Sequence, residues 1–137
     1  MQALISLALS IMVAAAQDTA PPTIEGRWKS PGGNSIIEIA PCGDSLCGTV
    51  AWASAQAKAD ASKTTAQLVG TQILTGLAQD KKGNWVGKLF IPDRNMHATA
   101  KIARVSADQL KVSGCMAGKA LCKSALWTSV TELPPQE

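Results

Sequence analysis

The sequence predicts an all-β protein, folded as an eight-stranded antiparallel up-and-down barrel with two local disulfides. Short segments of alternating apolar and polar residues are separated by Gly, Pro, Asn and Asp, and no long helical pattern interrupts them. The four cysteines fall in two closely spaced pairs. An all-β chain of this size must protect its edge strands, and a closed ring of eight strands removes them. A two-sheet sandwich is the alternative that the pattern leaves open.

Length and composition limit the protein to one soluble domain. The chain has 137 residues, of which 46% are hydrophobic and 17% charged, with a net charge of +3. The hydrophobic share excludes a disordered chain, and no apolar run reaches the roughly 18 residues that a membrane-spanning helix needs. The small, dispersed positive charge does not indicate a nucleic-acid-binding protein.

The amino-terminal residues are typical of an export signal. Residues 1–16 lack charged side chains and end in Ala14-Ala15-Ala16, small residues that a signal peptidase accepts. The segment departs from the usual pattern because no Lys or Arg precedes its apolar stretch, and a buried helix is the alternative. The predicted organisation is a signal peptide (1–16), a flexible leader (17–23), the barrel (24–132) and a disordered tail (133–137).

Eight strands account for most of the mature chain. The stretch 53–67 has few bulky apolar residues and is predicted to be a loop with one helical turn. The predicted strands are 24–29, 35–40, 46–53, 68–77, 85–91, 97–105, 110–116 and 125–131.

The cysteines predict two disulfides, Cys42–Cys47 and Cys115–Cys122. All four lie beyond the signal, where the surroundings oxidise thiols, and each pair brackets a short stretch rich in turn residues. A four-thiolate zinc site is the rival, but its usual spacing is shorter than the four and six intervening residues found here.

Several motifs resemble known families. Gly26-Arg27-Trp28 is similar to the short G-x-W signature of lipocalins. The wider pattern resembles DUF2147, a family of small exported bacterial proteins of unknown function. The matching segments are 36–43, 46–52, Gly70 with 73–77, 85–88, 91–93, 110–115 and 124–128.

This resemblance implies a lipocalin-like barrel in the periplasm or outside the cell, with no established activity. Two features depart from the family pattern. The stretch 53–67 lacks the Asp and Asn-Pro pattern that many members carry after the third strand, and Ser129 stands where many have an Arg. Lipocalins often pack a late Arg over the first Trp, so Arg27, Arg94 or Arg104 is expected to cover Trp28 here.

Few side chains suggest catalysis. His97 is the only histidine, so a Ser-His-Asp or Cys-His mechanism would need it, with Asp93 nearby to orient its ring. No G-x-S-x-G turn or metal-binding pattern accompanies it, and an exposed strand position is the simpler interpretation. Glu38 is likewise interpreted as a solvent-facing strand residue rather than a general base. We therefore expect no enzyme activity, no metal and no cofactor.

Trp28, Trp52, Trp85 and Trp127 are the candidate ligand-binding residues. Each is able to line a pocket and stack on a ligand, although filling the core is the alternative role. Space for a ligand is indicated by small residues within the strands, which leave little to fill an eight-stranded interior. These residues are Gly48, Gly87, Ala98, Ala100 and Gly114.

The sequence thus predicts a periplasmic or secreted protein that binds a small, mainly apolar ligand. A periplasmic protein-interaction module is the alternative, such as a protease inhibitor that uses residues 17–23, or an envelope accessory. Lys81-Lys82, Lys119 and Lys123 are interpreted as solubility charges, with an anionic partner as the alternative. The predicted state is a monomer or weak dimer, without nucleic acid and without a membrane span.

Overall fold

The barrel consists of eight antiparallel strands and one short helix. The structure is a computed structural model that describes residues 23–116 and 121–136. The predicted signal and nearly all of the leader lie outside the described residues. The elements are β1 (Gly26–Lys29), β2 (Ser35–Cys42), β3 (Ser45–Ala53), α1 (Ala55–Ala61), β4 (Gln72–Gln79), β5 (Trp85–Ile91), β6 (Met96–Ser106), β7 (Gln109–Met116) and β8 (Leu121–Val130), with a 3-10 turn at Pro31–Gly33.

Each strand pairs with the next, and the last pairs with the first. β1 is hydrogen-bonded to β2 on one side and to β8 on the other, where Trp28 lies opposite Ser129. The ring is therefore closed, which confirms the predicted up-and-down barrel and leaves no strand edge unpaired within it. The alternative of two stacked sheets is wrong.

The core lies inside the ring and consists mainly of branched aliphatic residues. Ile37 and Ile39 on β2 point inward, while Glu38 between them is exposed, as the alternation predicts. The central cluster comprises Ile24, Trp28, Ile37, Ile39, Leu46, Val50, Ala53, Ile73, Leu74, Leu77, Ala100, Ile102, Leu110, Val112 and Trp127.

Consecutive connections alternate between the two ends of the barrel. One end, here called the mouth, holds the β1–β2, β3–β4, β5–β6 and β7–β8 connections, and the opposite end, called the base, holds the other three. Cys42–Cys47 closes the β2–β3 hairpin at the base, and Cys115–Cys122 closes the β7–β8 hairpin at the mouth. Both predicted pairings are confirmed, so the four sulfurs are not the ligands of a zinc ion.

The β3–β4 connection contains more helix than the sequence suggested. α1 begins after Ser54, whose hydroxyl accepts a hydrogen bond from the Ala57 amide at 3.1 Å, and its Ala61 is buried. β4 starts at Gln72 rather than at residue 68, because Gly70 has a positive φ of 93° and breaks the extended backbone. Leu68 packs against the core from the connection instead of from a strand.

The carboxyl-terminal segment after β8 is irregular but makes specific contacts. The Trp52 indole nitrogen donates to the Pro135 carbonyl at 3.1 Å, and the Lys58 ammonium group donates to the Gln136 side-chain oxygen at 3.2 Å. Trp52 is buried although it lies outside the central cluster. The segment therefore passes beside β3 and α1.

Candidate functional site

A cavity of about 740 Å³ opens at the mouth of the barrel, on the side formed by β5–β8. Its volume lies within the range typical of small-molecule sites. Leu89, Val112 and Trp127 contribute apolar surface deep in the cavity, and the exposed Leu121 lies near the opening. The full lining is Leu89, Ile91, Asp93, Arg94, Met96, Ala98, Val112, Gly114, Met116, Leu121, Cys122, Lys123, Ser124, Ala125 and Trp127.

The cavity exists because small residues occupy inward positions on these strands. Ala98, Gly114 and Ala125 line it, and each lies where a larger side chain would project into the barrel. A β-carbon added to Gly114 would meet Leu89 Cδ2 at 3.1 Å and Ala98 Cβ at 3.8 Å. The glycine thus faces the interior, and its missing side chain leaves space there. Two of these three, Ala98 and Gly114, belong to the small residues that the sequence singled out.

α1 and the residues after it cover the other part of the mouth. The hydroxyls of Thr64 and Thr65 both donate to the carbonyl of Pro92 in the β5–β6 turn, the latter at 3.2 Å. A smaller cavity of about 210 Å³ remains beneath the helix, with Ile37, Val50 and Ala57 among its lining residues. α1 therefore lies over the β2–β4 part of the mouth, and the large cavity lies at the β5–β8 part.

Among the residues that the structure describes, the charged groups of the large cavity lie at its outer part. Asp93 and Arg94 belong to the β5–β6 turn, and Lys123 projects from β8. All three are exposed. In the described part of the chain, neither cation is ion-paired with a carboxylate. The site thus combines an apolar interior with two unpaired positive charges and one negative charge.

The four tryptophans do not form one site. Trp127 lies in the wall of the mouth cavity and is 7% exposed. Trp28 belongs to the central cluster, Trp85 is half-buried against that cluster, and Trp52 lies under the carboxyl-terminal segment. Of the predicted ligand-binding residues, Trp127 is therefore the one placed to touch a molecule in this cavity.

Arg104 covers Trp28 at the base of the barrel. Its guanidinium carbon lies 5.8 Å from the centroid of the indole ring, a cation–π distance. The guanidinium also donates to the carbonyls of Thr23 and Ala107, while the Trp28 indole nitrogen donates to the Ile24 carbonyl at 2.8 Å. Of the three arginines considered from the sequence, Arg104 is the one that packs on the ring.

The two candidate acid–base residues lie outside the cavity. His97 is exposed on β6, and its ring lies 5.1 Å from that of Phe90 on the neighbouring strand. Glu38 is exposed and ion-paired with Arg27 at 3.7 Å. Neither residue lines the mouth cavity. Among residues 23–116 and 121–136, no group of three or more His, Cys, Asp or Glu side chains is arranged to hold a metal. In the same ranges, no helix has both the length and the apolar character needed to cross a bilayer.

Sequence reasoning missed most of the residues that form the mouth. Met96, Met116, Leu121 and Ala125 were not singled out, and Lys123 was interpreted as a solubility charge, with an anionic partner as the alternative. A signal for Lys123 was present, because it shares the alternation of Ala125 and Trp127 along one strand. Its inward position on β8 was not predicted, because the eighth strand was expected to begin at residue 125, four residues late.

Comparison with known proteins identifies a family without assigning an activity. No curated protein matches the chain, and no solved structure matches it. Residues 26–129, which run from the start of β1 almost to the end of β8, match the family described as uncharacterized protein conserved in bacteria (DUF2147). The matched range includes all four cysteines, Trp28, Arg104 and every residue that lines the mouth cavity. The protein is thus a member of the DUF2147 family.

Proposed function

We propose that this protein binds a small, mainly apolar molecule in the mouth cavity and acts as a binding protein rather than an enzyme. The observation that carries the proposal is the open cavity of about 740 Å³ between β5 and β8. Apolar side chains line most of its depth, and small residues at inward positions keep it from filling. Burying apolar ligand surface there contributes roughly 25 cal/mol for each Å² removed from water.

The disulfides indicate where such a protein would work. Two bridges fit an oxidising compartment outside the cytoplasm. The apolar stretch at residues 1–16 supports export, and the proposed location is the periplasm or the external medium. A binding protein in either place would meet apolar molecules that are poorly soluble in water, and the barrel would shield them.

Binding is tested with the neutral fluorescent probe N-phenyl-1-naphthylamine, whose emission rises in an apolar site. Wild-type protein should saturate with the probe, and Ala125→Leu should weaken binding at least tenfold, because the larger side chain projects into the cavity. Ala103→Leu is the matched control. Ala103 lies on β6, is paired with Lys111 of β7 and points to the outside of the barrel. The control variant should bind the probe like wild type.

Two results would reject the proposal. One is a wild-type protein that does not bind the probe or any other apolar compound at micromolar to millimolar concentration. The other is an Ala125→Leu variant that is folded and binds as well as wild type, since binding would then take place outside the cavity.

A further inference from the structure

We propose that the ligand is a single-chain amphiphile with an anionic head group, and that Lys123 binds this head group. The inference rests on the proposed function and specifies the ligand class for the same cavity. Its basis is the position of Lys123, a cationic side chain on the inner face of the barrel above an apolar floor.

The register of β7 and β8 places Lys123 inside. The two strands pair without a shift from Gln109–Thr128 to Met116–Leu121. Directly paired residues point to the same side of a sheet, and residues two apart on a strand do so as well. Lys123 lies opposite Gly114, whose missing side chain would point into the barrel. It also shares its side of β8 with Trp127, which is buried in the central cluster.

Within residues 23–116 and 121–136, no carboxylate is paired with the Lys123 ammonium group. Asp93 also lines the cavity but stands on the β5–β6 turn beside Arg94, and it is paired with neither cation. Glycine opposite the lysine leaves the ammonium group access to whatever enters the mouth.

The surroundings of Lys123 favour an amphiphile over a simple anion. Below it on β8, Ala125 and then Trp127 line the cavity, and Val112 faces them from β7. Trp127 lies four residue steps beyond Lys123 along the strand, which corresponds to about 13 Å of depth. An inorganic anion would leave this surface in contact with water, whereas an alkyl chain of medium length would cover it. Leu121 and Met116, one step closer to solvent, extend the apolar surface past the lysine.

The positive charges of Lys123 and Arg94 favour a ligand with an anionic head group. A carboxylate, sulfate or phosphate held against the ammonium group would make a charge-assisted hydrogen bond, which is stronger than a bond between neutral groups. Arg94 at the rim adds a second positive charge to the approach path. A cationic head group would be repelled by both, and a neutral alcohol would gain only the apolar contacts.

The test compares three ligands with the same ten-carbon chain as competitors of N-phenyl-1-naphthylamine. These are decanoate, decan-1-ol and decyltrimethylammonium. Wild-type protein should bind decanoate most tightly. Added salt should weaken the binding of decanoate but not the binding of decan-1-ol. Lys123→Gln should lower the affinity for decanoate about tenfold, because one hydrogen bond between charged groups is lost. Its affinity for decan-1-ol should not change.

Two further variants separate position from charge. Lys123→Arg keeps the positive charge and should retain the preference for decanoate. Lys101→Gln removes a lysine from the outer face of β6, where it lies opposite Ser113, and should behave like wild type. Equal affinity for decanoate and decan-1-ol, with no effect of Lys123→Gln, would overturn this inference while leaving the apolar ligand site intact. Failure of the probe and of all three chains to bind would instead overturn the proposed function.

Discussion

The two sides of the barrel both consist of antiparallel strands paired in sequence order, but their interiors are very different. On β2–β4 the inward positions carry large aliphatic side chains, including Ile37, Ile39 and Leu74, all at most 1% exposed. On β6–β8 several corresponding positions carry Ala or Gly, and an open cavity takes their place. α1 lies over the first side, where a cavity of about 210 Å³ remains, whereas the cavity of about 740 Å³ lies on the second side.

Glycines show the difference most directly. A β-carbon on Gly48 of β3 would lie 2.8 Å from Leu74 Cδ1 and 3.1 Å from Ile37 Cγ2, so neighbouring side chains already occupy its space. A β-carbon on Gly114 of β7 would meet only one side-chain atom within 3.4 Å, Leu89 Cδ2. Closure of the ring therefore does not determine how densely the interior is packed. The sizes of the inward-facing side chains on each strand determine it.

The largest expected effect comes from making one substitution on each side. Gly48→Ala should lower the free energy of unfolding by about 3 kcal/mol, at the upper end of the cost of overpacking a core. Gly114→Ala should change it by less than about 1 kcal/mol, because Leu89 is half-buried beside the cavity and has room to move. Urea unfolding of both variants measures the difference. Equal destabilisation would mean that the two sides are packed alike.

The two disulfides provide a second comparison, between the base and the mouth. Replacing either pair by serines should lower the free energy of unfolding by about 2 kcal/mol, since both bridges close short loops of similar length. Only the Cys115→Ser, Cys122→Ser protein should also bind the naphthylamine probe more weakly, because that hairpin forms part of the cavity wall. A binding defect in the Cys42→Ser, Cys47→Ser protein would contradict the assignment of the cavity to β5–β8.

A smaller effect is expected where the two sides are joined at the base. Arg104 on β6 reaches Trp28 on β1, so Arg104→Met should remove the cation–π contact while keeping apolar cover over the ring. The expected loss is about 1 kcal/mol in the free energy of unfolding. Thermal unfolding followed by tryptophan fluorescence tests this, with Arg94→Met as the control. If the two variants have equal stability, Arg104 does not link the sides.

The sequence predicted the strands and disulfides of the barrel better than the packing of side chains and the cavity inside it. Alternation and turn residues are local patterns. The alternation of Ile37, Glu38 and Ile39 predicts which side chains point inward, even when the neighbouring strands are not known. Disulfide pairing was also readable, because each bridge closes a hairpin whose two halves are adjacent in sequence. The arginine over Trp28 was narrowed to three candidates but not to Arg104, since that choice depends on a contact across the ring.

The packing inside the barrel depends on contacts between residues of different strands, which a local sequence pattern does not predict. Gly48 and Gly114 look alike in sequence, yet one is surrounded by Leu74 and Ile37 from neighbouring strands and the other borders a cavity. Residues 68–69 look like strand because they are apolar, but their place is the connection between α1 and β4. Lys123 became informative only once the start of β8 at Leu121 and its pairing with β7 were known.

The pairing of β1 with β8 bears on how the chain assembles. Every other neighbouring pair of strands is consecutive in sequence, whereas this junction brings together positions such as Trp28 and Ser129 from the two ends of the domain. Joining distant segments carries the greatest loop-closure entropy, and β1 has only four residues with which to offset it. We therefore expect the meander of eight strands, with its seven consecutive pairings, to form first and the β1–β8 junction to close last. Amide protons at this seam should exchange with solvent sooner than those of β6 and β7.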